Sequence, residues 1–483
     1  MASVNKQSLR EEFDTLKGAL ESHCAAGKVA PETRTLIQAL LALFELLMAV
    51  FMEKATPKNS RNSSLPSSQT DKADETATQP GSHTKGKAAH TGRSANTRTI
   101  ETLEIAPVHD CECCGKDLTA EPCQGHERRT LLDIVYEKHQ HHVDAEIKQC
   151  PLCQTVNKGA FPASMAGPLQ YGPGIKATVI NFLVAQMVSL KRVQQLMATL
   201  IGQTLSEASL LKFVRQLHHA LAAWEQQAIE RLLAQPSLHV DETSLRVDRK
   251  RHWIHVYSAG EITLKFLHCN RGHEAINAIN IIPRYGGVLI HDCLVGYFSF
   301  LDCLHAVCGS HLLRELTFVV ETNGYVWAAQ MKRLLQKTCK KVANSPTKCL
   351  SETEYKNLQK RYRTILTQGA KELPPIPPRQ NGKRGRIAKS DAHNLWERLR
   401  DREEAVLLFA KLPHVPFTNN RAERDLRMSK VKQKVSGCFR TFFYAQAYCR
   451  ISSYLQTMAN RGYGPLVAIQ MALSGEIYSQ GGE

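Results

Sequence analysis

Residues 237–269 read SLHVDETSLRVDRKRHWIHVYSAGEITLKFLHC. Short runs rich in β-branched and aromatic residues alternate here with polar turns, the pattern of three antiparallel strands. The first strand carries Asp241. A helix-like GHEAINAINII (272–282) follows, and then the apolar strand GGVLIHDC (286–293), which ends on Asp292. A third acid, Glu423, lies in NNRAERDLR (419–427), where Glu, Arg and Leu favour a helix. Hard divalent cations take carboxylate oxygens and keep several waters. Two such ions can activate an attacking oxygen and stabilise a leaving one in phosphodiester chemistry. Asp241, Asp292 and Glu423 therefore form a candidate cage for two Mg²⁺ (or Mn²⁺) ions. Each acid alone would pass for a solvated surface charge, and the strand order and basic surroundings set these three apart.

Those surroundings are dense. Arg421, Arg424, Arg427, Lys430, Lys432, Lys434 and Arg440 flank Glu423. Arg421, Arg424 and Arg427 recur at three-residue spacing, which suggests one helix face. A solvated charged helix is the plain alternative, but arginines gripping phosphate beside a metal-binding Glu account for more of the segment. The formal net charge of +17 points the same way, because a surplus that large releases counterions from phosphate backbones.

Upstream, CECCG (111–115) and CPLC (150–153) each set two cysteines at the spacing that lets both thiolates reach one tetrahedral Zn²⁺. Cys111, Cys114, Cys150 and Cys153 are thus expected to hold a structural zinc, with Cys113 competing with Cys111 and with Cys123, His126, His139, His141 and His142 nearby. A different cluster, HAVCGSHLLREL (305–316), contains His305, Cys308 and His311 at a spacing that would line one face of a helix beside Asp292. It admits a second metal site, structural hydrogen bonding or DNA positioning. His291 is equally open between core packing and orientation of its neighbour.

The remaining segments give the outline of a multidomain α+β chain. Residues 1–54 are read as helices; their run LIQALLALFELLMAVFM (36–52) is broken by Gln38 and Glu45 and falls short of the ~20 apolar residues of a membrane span. It serves either oligomerisation or packing on its own domain. Residues 55–99 are a polar, basic linker with too little apolar surface to fold. Residues 100–160 form the zinc-binding domain, and GPLQYGPG (167–174) opens a helical region, 167–234. Within it, Gly202 lies between two short helices and Ser206 is a candidate N-cap, a shape shared by a DNA-reading helix-turn-helix and by the more frequent helical hairpin. Residues 235–310 and 411–450 carry the acids, with a helical insertion at 311–410 that includes the Pro-rich, basic ELPPIPPRQNGKRGR (372–386), and 451–483 are helical. The opening residues lack a signal-peptide core, so the 15 cysteines suit reduced thiols in a cytoplasmic protein. No serine or tyrosine stands out as a nucleophile.

Taken in order, KNSRNSSLPSS, CECCGKDL, YGPGIKA, HVDETSLRV, WIHVYS, RGHEA, GVLIHDCLVGYF, HAVCGSHLLREL, VPFTNNRAERDLRMSKVKQKVSGCFR and ISSYLQTMANRG resemble the IS66-type insertion-sequence transposases. The resemblance implies an RNase H-like α/β catalytic core with Asp241, Asp292 and Glu423 as its Asp-Asp-Glu triad, and reads 311–410 as an insertion in that core. It implies a zinc domain, leading helices that assemble a multimer on two transposon ends, DNA as partner and substrate, and small companion proteins from the same element. The expected setting is the bacterial cytoplasm, at the nucleoid. One departure stands out: after the second Asp the family usually carries Gly and an aromatic, whereas Cys293 and Leu294 follow here.

Overall fold

The computed structural model describes residues 102–132, 134, 137–376 and 389–476. The expected N-terminal helices (1–54), the basic linker (55–99) and most of the Pro-rich connection lie outside the described residues.

The polypeptide first forms a small antiparallel hairpin, β1 (Ile147–Gln149) and β2 (Val156–Lys158). Helices α1 (Pro173–Ile180), α2 (Leu190–Ile201), α3 (Glu207–Ala220) and α4 (Ala222–Leu233) follow. Gly202 closes α2 in the left-handed conformation (φ 62°), and the Ser206 side chain accepts from the Ser209 amide to cap α3. This is the helix–turn–helix shape that the spacing predicts. Leu210, Phe213, Val214 and Leu217 turn one side of α3 into the core, leaving Lys212, Arg215 and His219 exposed on the other.

A five-stranded sheet comes next: β3 (Ser237–Val247), β4 (Lys250–Ala259), β5 (Ile262–His268), β6 (Val288–His291) and β7 (Leu304–Val307). Its order is β5-β4-β3-β6-β7. The first three strands are antiparallel, as the alternation predicts, while β6 pairs in parallel with β3 and β7 with β6. The β3–β4 turn uses two residues with positive φ, Asp248 and Arg249, a geometry that suits the right-handed twist of a tight hairpin. Between β5 and β6 sits α5 (His273–Ile279).

Helices α6 (Gly309–Asn323), α7 (Val326–Asn344), α8 (Glu352–Glu372), α9 (Asp391–Asp401) and α10 (Glu403–Lys411) fill the expected insertion. The fold ends with α11 (Asn420–Ser436), α12 (Phe442–Asn460) and α13 (Pro465–Ser474). Two cores flank β6. Leu289 faces the one built with α1–α4, α12 and α13, whereas Val288 and Ile290 face the other, built with Leu312, Leu316, Trp327 and Leu335 of the insertion. The period of two along the strand sends adjacent residues to opposite faces, and burial on both sides explains the unbroken apolar run VLI. The insertion thus shares its core with β6 and β7.

Helix α11 is pinned along β3. Asn419, just before it, donates its Nδ2 to the Val240 carbonyl (2.7 Å), Gln433 donates to the Ser244 carbonyl, and Phe439 exchanges backbone bonds with Arg246 (3.0 Å) and Asp248 (2.8 Å). Its approach to α6 is close: the Gly309 amide donates to the Phe417 carbonyl (2.8 Å), and a Cβ at Gly309 would lie 2.2 Å from the Phe417 ring. Gly309→Ala is therefore expected to lower stability by about 1–3 kcal/mol through overpacking, read from the denaturant midpoint at unchanged slope.

Candidate active site

Asp241 stands at mid-strand in β3, opposite Val256 of β4. The parallel register on its other side pairs His239 with Ile290, so continuing it by two residues brings Asp292, at the end of β6, level with Asp241. Glu423 lies in the first turn of α11, the helix pinned to the same strand. Asp292 is the electrostatic link between the two sides, since its charge acts on Asp241 and also on His311, which faces Glu423.

All three acids are partly buried. Desolvation pushes the Asp241 carboxyl up to about 8, with the charges of Glu242 and Asp292 adding to the rise and Lys430 opposing it. Lys430 comes from the helix of Glu423 and so brings positive charge to the far acid. Glu423 Oε1 is buried without a hydrogen bond; His311 Nδ1 (3.5 Å) and Arg314 Nη2 (3.7 Å) face it too distantly to donate well. A buried carboxylate oxygen left in that condition is costly for a structural group and suits one awaiting a cation.

Residue Glu242 is a further acid that the sequence pattern does not single out. It is buried on β3, accepts from Tyr297 Oη (2.7 Å) and Arg271 Nε (2.7 Å), and is pushed upward by desolvation and by Asp292. Asn419 is the other. Its amide ties β3 to α11, its Oδ1 meets His239 Nδ1 (2.9 Å), and its backbone N–H donates to Cys308 Sγ (3.1 Å). Only its place ahead of a predicted helix, where Asn is a favoured cap, hinted at a role.

The basic residues around Glu423 divide. Arg427, Lys430 and Lys434 are exposed and follow Glu423 at spacings of four, three and four, one line along α11. Arg424 is exposed on another flank. Arg421 turns inward, donating to the Ile262 carbonyl (3.3 Å) beside Asp425 (3.9 Å), so the three arginines do not share the face that their spacing suggested. Lys432 is half-buried near the Phe439 ring (5.8 Å), and Arg440 is exposed.

The run HAVCGSHLLREL is also divided. His305 lies on β7, not on a helix, and Cys308 precedes the first turn of α6, where His311 sits. Leu304–Val307 pair in parallel with β6 as a short edge strand, with only Ala306 and Val307 buried, where helical spacing suggested continuity. His305 Nε2 donates to the Phe300 carbonyl (2.9 Å), its Nδ1 accepts from His291 Nε2 (3.2 Å), and His291 Nδ1 accepts from the Cys293 amide (3.2 Å). One set of neutral tautomers satisfies all three bonds, and burial holds His291 down to about 3 and lowers His305. Cys308 and His311 instead meet Glu423. Among the described residues, this is the one trio of His, Cys, Asp or Glu whose donor atoms all converge, within 4.8 Å of one another.

Both cysteine pairs form matching knuckles. Cys111 N–H donates to Lys116 O and Gly115 N–H to Cys111 O, each at 2.9 Å, and Cys150 and Gln154 repeat the pattern with Thr155 O and Cys150 O at the same distance. Gly115 and Gln154 hold equivalent left-handed positions, φ 70° and 58°. Hydrogen bonding within each pair, from Cys114 to Cys111 and from Thr155 and Cys150 to Cys153, lowers the first thiol and brings Cys153 to about 7. Each knuckle thus fits two zinc ligands, although the two knuckles do not converge on one point.

A family model described as "Transposase IS66 family" matches residues 168–447, which span the sheet, the three acids, the insertion and α11. The chain belongs to the IS66 transposase family. No match was found among curated proteins. Cys293, at φ +76°, takes the left-handed backbone that glycine adopts without strain, at the position where the family resemblance leads one to expect Gly. No described helix is long and apolar enough to cross a membrane.

The Asp241 shift fixes a pH dependence. Its carboxyl rises from 3.8 to about 8 on folding, so the folded, metal-free state binds the proton more tightly than the unfolded chain. Stability from this group is complete below about pH 4 and is lost as pH climbs toward 8. In chelator, Asp241→Asn should therefore stabilise the protein at pH 8, on the order of 2 kcal/mol after allowing for residual solvation, and change little near pH 4. Urea titrations at both pH values read this; equal effects at both would remove the buried-carboxylate account.

Proposed function

We propose that this chain is the DNA transposase of an insertion sequence, binding transposon ends and cutting and joining DNA through Asp241, Asp292 and Glu423. The observation that carries the reading is the placement of two repelling carboxylates on adjacent parallel strands, beneath a helix that brings an unsatisfied third. The sheet order, three antiparallel strands followed by two parallel ones, supports the RNase H-like core that the family resemblance implies.

Asp241, Asp292 and Glu423 are the residues that would hold Mg²⁺ or Mn²⁺. When bound, the two cations supply activation of the attacking oxygen and stabilisation of the leaving one, first with water as nucleophile and then with the freed 3′-hydroxyl. Arg427, Lys430 and Lys434 run away from Glu423 along α11 and would hold successive phosphates of a strand leading into the site. Arg271 neutralises Glu242, so the second buried acid on β3 need not compete for the cations. The exposed side of α3, with Lys212 and Arg215, offers a second DNA contact. The Cys111/Cys114 and Cys150/Cys153 knuckles would close on one structural zinc, giving a module with little apolar core a fixed shape. A multimer holding two ends completes this reading.

Strand cleavage and joining on DNA carrying the element's own ends, in Mg²⁺, tests it. Asp292→Ala should cut product formation by at least about 100-fold while leaving end binding in place. Binding without cutting by the wild type favours a regulator, cutting without end preference favours an RNase H-like nuclease, and cutting that survives Asp292→Ala sinks the triad. Separately, replacing Arg427, Lys430 and Lys434 by Ala should flatten the plot of log affinity against log salt by about 0.9 per residue. An unchanged slope would take that face of α11 off the DNA.

A further inference from the structure

We infer that Cys308, His311 and Glu423 form a binding site for a soft divalent cation of the Zn²⁺ class, separate from the knuckles and sharing Glu423 with the all-carboxylate site. Its binding does not depend on the proposed function, but its effect on catalysis rests on that reading of Glu423.

The geometry is that of a zinc site short of its ion. His311 Nδ1 and Glu423 Oε1 lie 3.5 Å apart, both shielded from solvent and neither hydrogen-bonded. Two donors of one tetrahedral zinc, each about 2.0 Å from the metal, are themselves about 3.3 Å apart. Cys308 Sγ closes the group. The sulfur accepts from the Asn419 amide (3.1 Å) just ahead of the first turn of α6. Gly309 at the head of α6 donates to the Phe417 carbonyl and the Asn419 amide ahead of α11 donates to Cys308, so the segments carrying the three donors are tied to one another.

The donor set selects the metal. Thiolate and imidazole favour Zn²⁺ and its neighbours, whereas Mg²⁺ asks for oxygen alone. Three protein ligands leave a fourth position open, the stoichiometry of an exchangeable rather than a purely structural ion. Arg314 Nη2, 3.7 Å from the same Glu423 oxygen, is the competitor; it must swing aside, while its Nε bond to the Ser310 carbonyl (3.3 Å) can persist. An ion held here turns Glu423 toward α6 and away from Asp241 and Asp292, so Zn²⁺ and the catalytic cations exclude one another.

Zinc content of the full-length protein, equilibrated with Zn²⁺ and freed of excess, decides the binding. Cys308→Ser and His311→Asn should each carry one equivalent less than wild type, whereas Cys150→Ser with Cys153→Ser should keep that equivalent and lose the knuckle ion. His311, less buried than Cys308, guards against a folding defect at the cysteine, and melting curves confirm that each variant is folded. Equal zinc in wild type, Cys308→Ser and His311→Asn overturns the site. For inhibition, end cleavage in Mg²⁺ is titrated with Zn²⁺ and each protein is normalised to its own zinc-free rate. Wild type should fall at least about 10-fold at concentrations where Cys308→Ser is unaffected; parallel inhibition of both overturns the exclusion of catalytic cations. If no protein cleaves DNA, the zinc count still decides the site, and the failure belongs to the catalytic reading.

Discussion

One buried side chain, Asn419, sets where Glu423 stands against the strand of Asp241. Its amide donates to the Val240 carbonyl, one residue before Asp241, and accepts from the His239 ring; its backbone N–H reaches Cys308 at the head of α6. Three elements from distant parts of the chain thereby meet at one buried residue, four positions before Glu423. Burial drives His239 down to about 4, so its ring is neutral and its Nδ1–H is available as the donor that the Asn419 oxygen needs. Each of these bonds is worth only about 1 kcal/mol net. Breaking one is more expensive, because the partner is left unsatisfied in the core, and that asymmetry fixes the register of α11 on β3.

Around this clasp the acids separate into two kinds. Asp425, only two residues from Glu423, is buried but accepts from the Ser258 (2.7 Å) and Thr263 (2.8 Å) hydroxyls, with Arg421 nearby. It is satisfied by the protein and holds α11 to β4 and β5. Glu242 is satisfied in the same way, by Tyr297 and Arg271. Asp241 and Glu423 lack such side-chain donors: Asp241 accepts the amide of its neighbour Glu242 (2.8 Å), and Glu423 keeps a bare buried oxygen. A chain able to neutralise four neighbouring acids has done so for two; of the other two, Asp241 lies level with Asp292 and Glu423 faces His311, on which Asp292 also acts. This contrast, rather than the mere presence of carboxylates, marks the site.

What the sequence exposes and what it hides follow from the range of the interactions. The three antiparallel strands announce themselves through composition and turns, and the knuckles through spacing, because both are local. The turn at Gly202 and the cap at Ser206 are local too. Strand β7 is hidden because its four residues are too few to show an alternation, and LHAV runs almost directly into a real helix. Glu242 and Asn419 are hidden because their partners lie far away along the chain; Asn419 and Val240 are 179 residues apart. The arginines of α11 mislead because three-residue spacing spreads side chains across 120° of a helix, enough for Arg421 to turn inward while Arg427 stays out.

Cys293, which follows Asp292, holds a left-handed backbone. A non-glycine residue at φ +76° costs on the order of 1–2 kcal/mol, and such a turn persists only where its surroundings over-determine it. Here the surroundings are the histidine chain: the Cys293 amide donates to His291, His291 to His305, and His305 to the Phe300 carbonyl. Every ring nitrogen is partnered and burial lowers both rings, so one set of neutral tautomers gives the chain a single consistent direction. Asp292 sits between the residue that accepts and the residue that is strained, and its Oδ1 takes the Leu294 amide (3.4 Å) across the same turn. His291 and His305 are thereby assigned to holding the turn that aims Asp292 at Asp241. Cys308 and His311, released from any partnership with His305, are left to face Glu423.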